Sequence, residues 1–235
     1  MPDEPAAPPR SRVGRRRKDE PALSLEQIVS EALALLDEEG LGALSMRRLG
    51  TRVGAAATAV YWHVSTKDEL IELVVDEVYG EIVVPDAEEA GGWRAAVTTS
   101  ATDVRAAILR HPWITSVLDD VGVGYRGPHL MRVSDRMLAL FEAAGFDLVD
   151  ADRAFGTVMA YVMGIAGAEA AASRRRAGDE QSRMVALEAA EAAAERYPRL
   201  RALYGVYRER GTTHDDDFAY GLDVVLDGIE ARRGR

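Results

Sequence analysis

Ser45 to Lys67 is the stretch that most limits what this chain can become: SMRRLGTRVGAAATAVYWHVSTK carries two short helical segments on either side of Gly54. Ser45 offers a capping hydroxyl, and Met46, Leu49 and Val53 recur at helical spacing, so a helix with one apolar face is expected from Ser45 to Val53. A helix that needs a left-handed residue just past its end usually takes Gly, and Gly54 stands there. Ala55 to His63 then resumes with small residues followed by Val60, Tyr61 and Trp62. Two short helices across a Gly turn make a helix-turn-helix. Its second helix has to enter a major groove, which suits the slim leading end Ala55-Ala56-Ala57-Thr58-Ala59 with contact-making side chains behind it.

Such a pair needs outside hydrophobic support. Ser24 with Gln27 forms a capping box, and Leu25, Ile28, Val29, Ala32, Leu35 and Leu36 line one face of a helix that stops at Gly40. Beyond the motif, Thr66 and Glu69 form a second capping box. They open a helix with Leu70, Leu73, Val74, Val78 and Ile82 on one side, ending before Pro85 and suited to act as a lever from the reading head.

At 235 residues the chain is long enough for a sizeable core, and 47% hydrophobic residues argue for a globular protein. No stretch reads as a membrane span, and the start has Pro and Arg where a signal peptide needs an apolar region. With 0 Cys there are no disulfides or thiolate metal sites, which fits a reducing cytoplasm. A net charge of -10 spread evenly would disfavour nucleic acid, yet residues 1–66 balance nine basic against nine acidic side chains. The acidity lies in the remainder. Residues 1–22 are rich in Pro, Ala and Arg without apolar period and are expected to be a disordered arm. Arg10, Arg12, Arg15, Arg16, Arg17 and Lys18 make that arm fit for phosphates or a minor groove.

Pro85 to Gly92 is an acidic linker, and from Trp93 onward the pattern is helical without internal repeat. Helices are expected near 93–110, 112–120, 128–144, 150–175, 181–209 with a break at Pro198, and 215–232. The last carries Phe218, Leu222, Val225 and Ile229, spaced like a packing seam. Gly122 to Gly127 matches G-x-G-x-x-G, but no strand precedes it, so it is expected to be a loop. His214-Asp215-Asp216-Asp217 is expected to cap a helix rather than hold a metal. The four histidines show no i, i+4 ligand pairing, and neither a metal site nor a cofactor is expected.

Gly54 followed by Val60-Tyr61-Trp62-His63-Val64 and then Ser65-Thr66-Lys67-Asp68-Glu69-Leu70 resembles the signature of the tetracycline-repressor (TetR) family of transcriptional regulators. The register continues through Trp93, His111 and Gly145-Phe146 to Phe218-Ala219-Tyr220-Gly221-Leu222, so the resemblance covers most of the chain. It implies an all-α protein of three parts: the arm 1–22, a helix-turn-helix domain with connecting helix at 23–84, and a helical effector-binding and dimerisation domain at 85–235. It also implies a cytoplasmic, ligand-responsive regulator of the repressor kind. As a homodimer it would bind a palindromic double-stranded operator and be released by a small, mostly apolar molecule, with no membrane partner.

By the same resemblance Arg47, Ala57, Thr58 and Tyr61 face bases or their surroundings, while Arg48, Trp62, His63 and Lys67 fix the DNA backbone. The aromatic and Met content between Trp93 and Met163 points to an effector pocket. Trp93, His111, Trp113, Met137, Phe141, Phe155, Met159 and Met163 are its candidate walls, though such side chains also serve as plain core. Gly156, Ala160 and Gly164, with Phe218, Leu222, Val225 and Ile229, are the candidate dimer interface. Two departures argue against a tetracycline–magnesium effector. The drug-holding His near the end of the fourth helix has no counterpart in Val78 to Val84, and Pro112 and Trp113 follow His111, the counterpart of a magnesium ligand. Two other classes remain open: a small-molecule-binding helical enzyme, although no nucleophile–base pair emerges, and an architectural DNA binder without effector.

Overall fold

The computed structural model describes residues 23–117, 127–175, 180–210 and 213–233. The arm 1–22 and all but the last residue of the Gly122–Gly127 loop lie outside them. The described residues form α-helices and 3₁₀ turns, with no strand. The Ser24 hydroxyl accepts the Gln27 amide at 3.1 Å and opens α1 (Leu25–Glu39), which Gly40 ends at φ +76°. A 3₁₀ turn at Leu41–Ala43 leads to α2 (Met46–Arg52) and α3 (Ala57–Tyr61), with Gly54 at φ +67° between them. Both helices are shorter than the sequence pattern suggests, because Val53 caps the first and Ala55 and Ala56 form the turn.

Thr66 caps α4 (Lys67–Gly80), accepting the Glu69 amide at 3.0 Å, while the Glu69 carboxylate accepts the Ser65 amide at 2.7 Å. The helix stops at Gly80 although Ile82 and Val84 stay buried. Past that point the backbone bonds sideways, the Val83 amide donating to the Asp103 carboxylate at 3.2 Å. Part of the expected linker is a helix, α5 (Ala87–Ala90). There follow α6 (Trp93–Arg110), a 3₁₀ turn at Pro112–Ser116 in place of the helix expected at 112–120, and α7 (Pro128–Ala143). Next come α8 (Leu148–Arg175), α9 (Glu180–Ala193), α10 (Pro198–Arg210) and α11 (His214–Glu230). Thr213 and Asp216 form a reciprocal capping box at the start of α11, so the acidic run there closes a helix end.

α6 packs against α7 and α8, and α8 also packs against α11. Trp93, Phe141 and Phe146 make mutual ring contacts at 5.8 to 6.2 Å and close one end of the core. Arg105 spans three helices. It bonds Glu169 at 2.9 and 3.0 Å and Asp215 at 2.7 Å, with its guanidinium 4.9 Å from the centre of the Phe218 ring.

The α11 stripe departs from its expected role. Phe218, Leu222 and Ile229, with Leu226, are buried within the chain, and only Val225 of the expected seam is half-buried. α11 packs on α8 of the same chain, where Tyr161 stacks on Phe218 and donates its hydroxyl to the Phe218 carbonyl at 2.8 Å. Gly221 gives the Tyr161 ring room, since a Cβ there would lie 2.3 Å from the phenol oxygen. The outward residues of α11 include Tyr220 and Val224, and those of α8 include Gly156, Ala160 and Gly164. Leu148–Ser173 is long and apolar enough to cross a membrane, at mean hydropathy 1.3, which the sequence reading did not register. Only 28% of its apolar window is buried in the single chain.

Candidate DNA interface and effector cavities

α3 is held from behind. Val60 is 0% and Val64 1% exposed, and both sit in the core with Leu49 and Leu70. On the other side Tyr61, the last residue of this five-residue helix, is 52% exposed, and Trp62, its C-cap, is 88% exposed. Thr58, His63, Arg47, Arg48 and Lys67 are exposed around them, and Ala57 is half-buried at the leading end. The eight residues expected to meet DNA thus lie on α2, on α3, and in the segment from α3 to the start of α4.

The arginines of α2 divide by partner. Arg52 bonds Glu38 at 2.6 and 2.7 Å and Glu31 at 2.9 Å, and these bonds hold its guanidinium above its ordinary range while lowering the Glu38 carboxyl. Arg48 pairs with Glu39 of α1. Arg47 and Lys67 form no ion pair among the described residues, which leaves their charges for an outside anion. Arg48 would have to leave Glu39 to reach a phosphate, an exchange of one surface pair for another.

Sequence reasoning missed Gly50. It is buried in α2 with its carbonyl accepting the Ala55 amide at 2.8 Å, and a Cβ would stand 2.9 Å from the Ala55 oxygen. The close approach of α2 to the turn before α3 requires a residue without a side chain. A glycine inside a seven-residue helix costs ~1 kcal/mol against Ala and was itself the available signal.

The eight candidate pocket residues fall into four places. Met137, Phe155 and Met159 line an apolar cavity of about 10 Å³, and Met163 lines a second of about 10 Å³. Ile82 and Val104 border both cavities. Trp93 and Phe141 belong to the aromatic end of the core. His111 and Trp113 line neither cavity. Their ring nitrogens turn to carboxylates, His111 Nδ1 lying 2.8 Å from Asp37 and Trp113 Nε1–H donating to the same oxygen at 2.7 Å. A cavity needs about 10–15 Å³ to hold one water, so an effector among these helices has to part them.

The lever is tied to this region at two levels. Asp76, 4% exposed in α4, accepts the His129 and Leu130 amides at 3.1 and 3.0 Å and so caps α7. Val78, Tyr79 and Ile82 line the second cavity from the end of α4 and the turn after it. Burial, and then the nearby Asp76 charge, push the Tyr79 phenol up, so it stays neutral there. Among the described residues no cluster of His, Asp and Glu is disposed to hold a metal.

Comparison with known proteins matches residues 28–74 to the model for bacterial regulatory proteins of the tetR family, and 84–233 to the tetracycline repressor-like C-terminal domain. An HTH-type transcriptional regulator of Saccharopolyspora erythraea is 33% identical, over 95% of this chain and 91% of that one. The HTH-type transcriptional repressor DrrR1 of Streptomyces coeruleorubidus is 31% identical, over 94% and 85%. Among solved structures, the TetR family protein ActR of Streptomyces coelicolor in complex with actinorhodin superposes at a TM-score of 0.77. It is 29% identical, covering 91% of this chain and 98% of that one. The two-domain helical architecture, the exposed α3 and the match along nearly the whole length agree: the chain belongs to the TetR family of transcriptional regulators, a family of ligand-responsive DNA-binding proteins rather than enzymes.

Proposed function

We propose that this protein is a homodimeric repressor that binds a palindromic operator through α3 and leaves it when a small, mostly apolar effector enters between α4, α6, α7 and α8. The observation that carries the reading is the pair Tyr61 and Trp62, exposed on a helix whose other side is fixed by Val60 and Val64. One helix of this length covers too few base pairs for specificity, and two-fold symmetry doubles the readout. The apolar face that α8 leaves open in the single chain supports pairing of α8 and α11 with a second copy, and a cytoplasmic site of action goes with the operator. ActR, solved in complex with actinorhodin, supports a small-molecule ligand for a protein of this fold.

The effector acts on the lever. Both cavities are too small for it and both touch Ile82, so a ligand large enough to bind pushes on the end of α4 and changes the spacing of the two heads. In vitro selection of duplex DNA, followed by footprinting, tests the first half. An inverted repeat protected on one face of the duplex is expected, and an asymmetric half-site bound by a monomer would overturn it. A thermal-shift screen of small molecules tests the second, since a specific ligand raises stability by mass action. A hit that competes with DNA at α3, instead of binding within the bundle, would refute the lever.

A further inference from the structure

His111 ends α6 with its side chain buried, at 3% exposure, where the reading head meets the effector domain. Its Nδ1 lies 2.8 Å from Asp37 Oδ1 on α1, and its Nε2 lies 3.1 Å from Glu81 Oε1 just past α4. The Asp37 oxygen also accepts Trp113 Nε1–H at 2.7 Å, and Arg110 pairs with the other oxygen of Glu81. A neutral imidazole has a single N–H, so it can donate to one of these carboxylates while its bare nitrogen faces the other acceptor. The protonated ring donates to both.

We propose that His111 is a positioning residue, a bridge that through its two ring nitrogens fastens the end of α6 to α1 and to the end of α4 together. The bridge rests on the regulator reading above and supplies its route into the head. Ile82, Ile108 and Ile114 line the second cavity; Ile82 and Ile114 adjoin Glu81 and Trp113 in the chain, and Ile108 stands two residues before Arg110. Swelling of that cavity therefore moves the residues that hold α1 and α4, and the head turns as one body with the lever.

The chain has 0 Cys, so Ser30→Cys on the exposed side of α1 gives one spin label per protomer. Head-to-head distances are read by pulsed EPR, with affinity for the duplex selected by the wild type, in His111→Gln, Asp37→Asn and the double variant. Each single variant is expected to broaden the distance distribution and weaken duplex binding about tenfold, with the double variant no worse than either, as for two ends of one contact. Glu169→Gln, which breaks the Arg105 pair inside the effector domain, should lower the unfolding temperature and leave the distances unchanged. Unchanged distances in His111→Gln, or additive losses in the double variant, would each overturn the bridge. If His111→Gln does not fold, Asp37→Asn, at a carboxylate 31% exposed, carries the same comparison. If the wild type selects no duplex, the regulator reading fails instead, and the bridge is still judged by the same double-mutant cycle in thermal unfolding, where additivity sinks it.

Discussion

Gly50→Ala puts the reach of the recognition helix under direct control. The added Cβ would sit 2.9 Å from the Ala55 oxygen, 3.0 Å from the Ala57 nitrogen and 3.2 Å from the Ala56 carbonyl carbon. All three are backbone atoms of the turn, so no side chain can rotate out of the way. Restoring contacts of about 3.5 Å moves the turn by roughly half an ångström. Overpacking of this sort costs about 1–3 kcal/mol, and Ala recovers ~1 kcal/mol of helix propensity over Gly, leaving a net loss of about 0–2 kcal/mol. The effect on DNA should be larger than the effect on folding, because α3 carries Tyr61 and Trp62 with it. Each base contact put out of place costs about 1–3 kcal/mol, or roughly 5- to 150-fold in affinity. Thermal unfolding and fluorescence anisotropy with the selected duplex measure the two effects separately. A Gly50→Ala protein with wild-type affinity and an unchanged or raised unfolding temperature would mean that the turn has slack, and the steric argument would be wrong.

Tyr61→Ala and Lys67→Ala should both weaken duplex binding at unchanged unfolding temperature, and Lys67→Ala should flatten the log–log salt dependence by about 0.9 for its phosphate; a salt slope equal to wild type would deny Lys67 that contact. Val224→Asp, at an outward position of α11, is expected to yield folded monomers by sedimentation, whereas Leu222→Asp should unfold the chain because Leu222 is 2% exposed within it; a Val224→Asp dimer at nanomolar concentration would move the interface elsewhere. Tyr79 is shifted upward in the folded state, so its contribution to stability is complete below about pH 10, the unfolded phenol's range, and is lost as pH climbs through the folded value. Tyr79→Phe should therefore lessen the alkaline decline in unfolding temperature, and an identical decline in both proteins would assign it to other groups.

The head was legible because its signals are local. Ser24, Ser45 and Thr66 cap helices within three residues of themselves, and Gly54 takes the left-handed turn its position demanded. In the effector domain the element boundaries followed from Gly and Pro to within two residues at most ends, because those residues break helices wherever they fall. Partners were not legible. The spacing of Phe218, Leu222 and Ile229 says that they are buried, but a stripe is the same whether α8 of its own chain or a second copy covers it. His111 and Trp113 look like pocket walls by composition, and only the fold brings Asp37, 74 residues away in sequence from His111, to their ring nitrogens. Gly50 showed in the sequence as an oddity in a short helix, whereas its cause, the oxygen of Ala55, belongs to the turn geometry.

The smallness of the two cavities bears on how a ligand can be read by this protein at all. A roomy preformed pocket would bind an effector equally well whatever the heads were doing, and a ligand with equal affinity for both states shifts nothing. At the two cavities beside α4 the space has to be made. The helices that part include the end of α4, since Val78, Tyr79 and Ile82 line the second cavity and Ile82 borders the first. Binding therefore favours the arrangement in which α4 has moved, and the free energy spent on opening appears as the difference in affinity between the two arrangements. In the proposed operator complex DNA holds the heads at the spacing of successive major grooves and so opposes the same movement. By linkage the factor by which effector weakens DNA binding equals the factor by which DNA weakens effector binding. Substitutions that enlarge the cavity beforehand, such as Met159→Ala or Met163→Ala, should then raise effector affinity while reducing that factor. Effector titrations with and without the operator duplex measure both quantities on one sample. Higher affinity with an undiminished factor would separate the cavity from the lever and place the coupling elsewhere in the bundle.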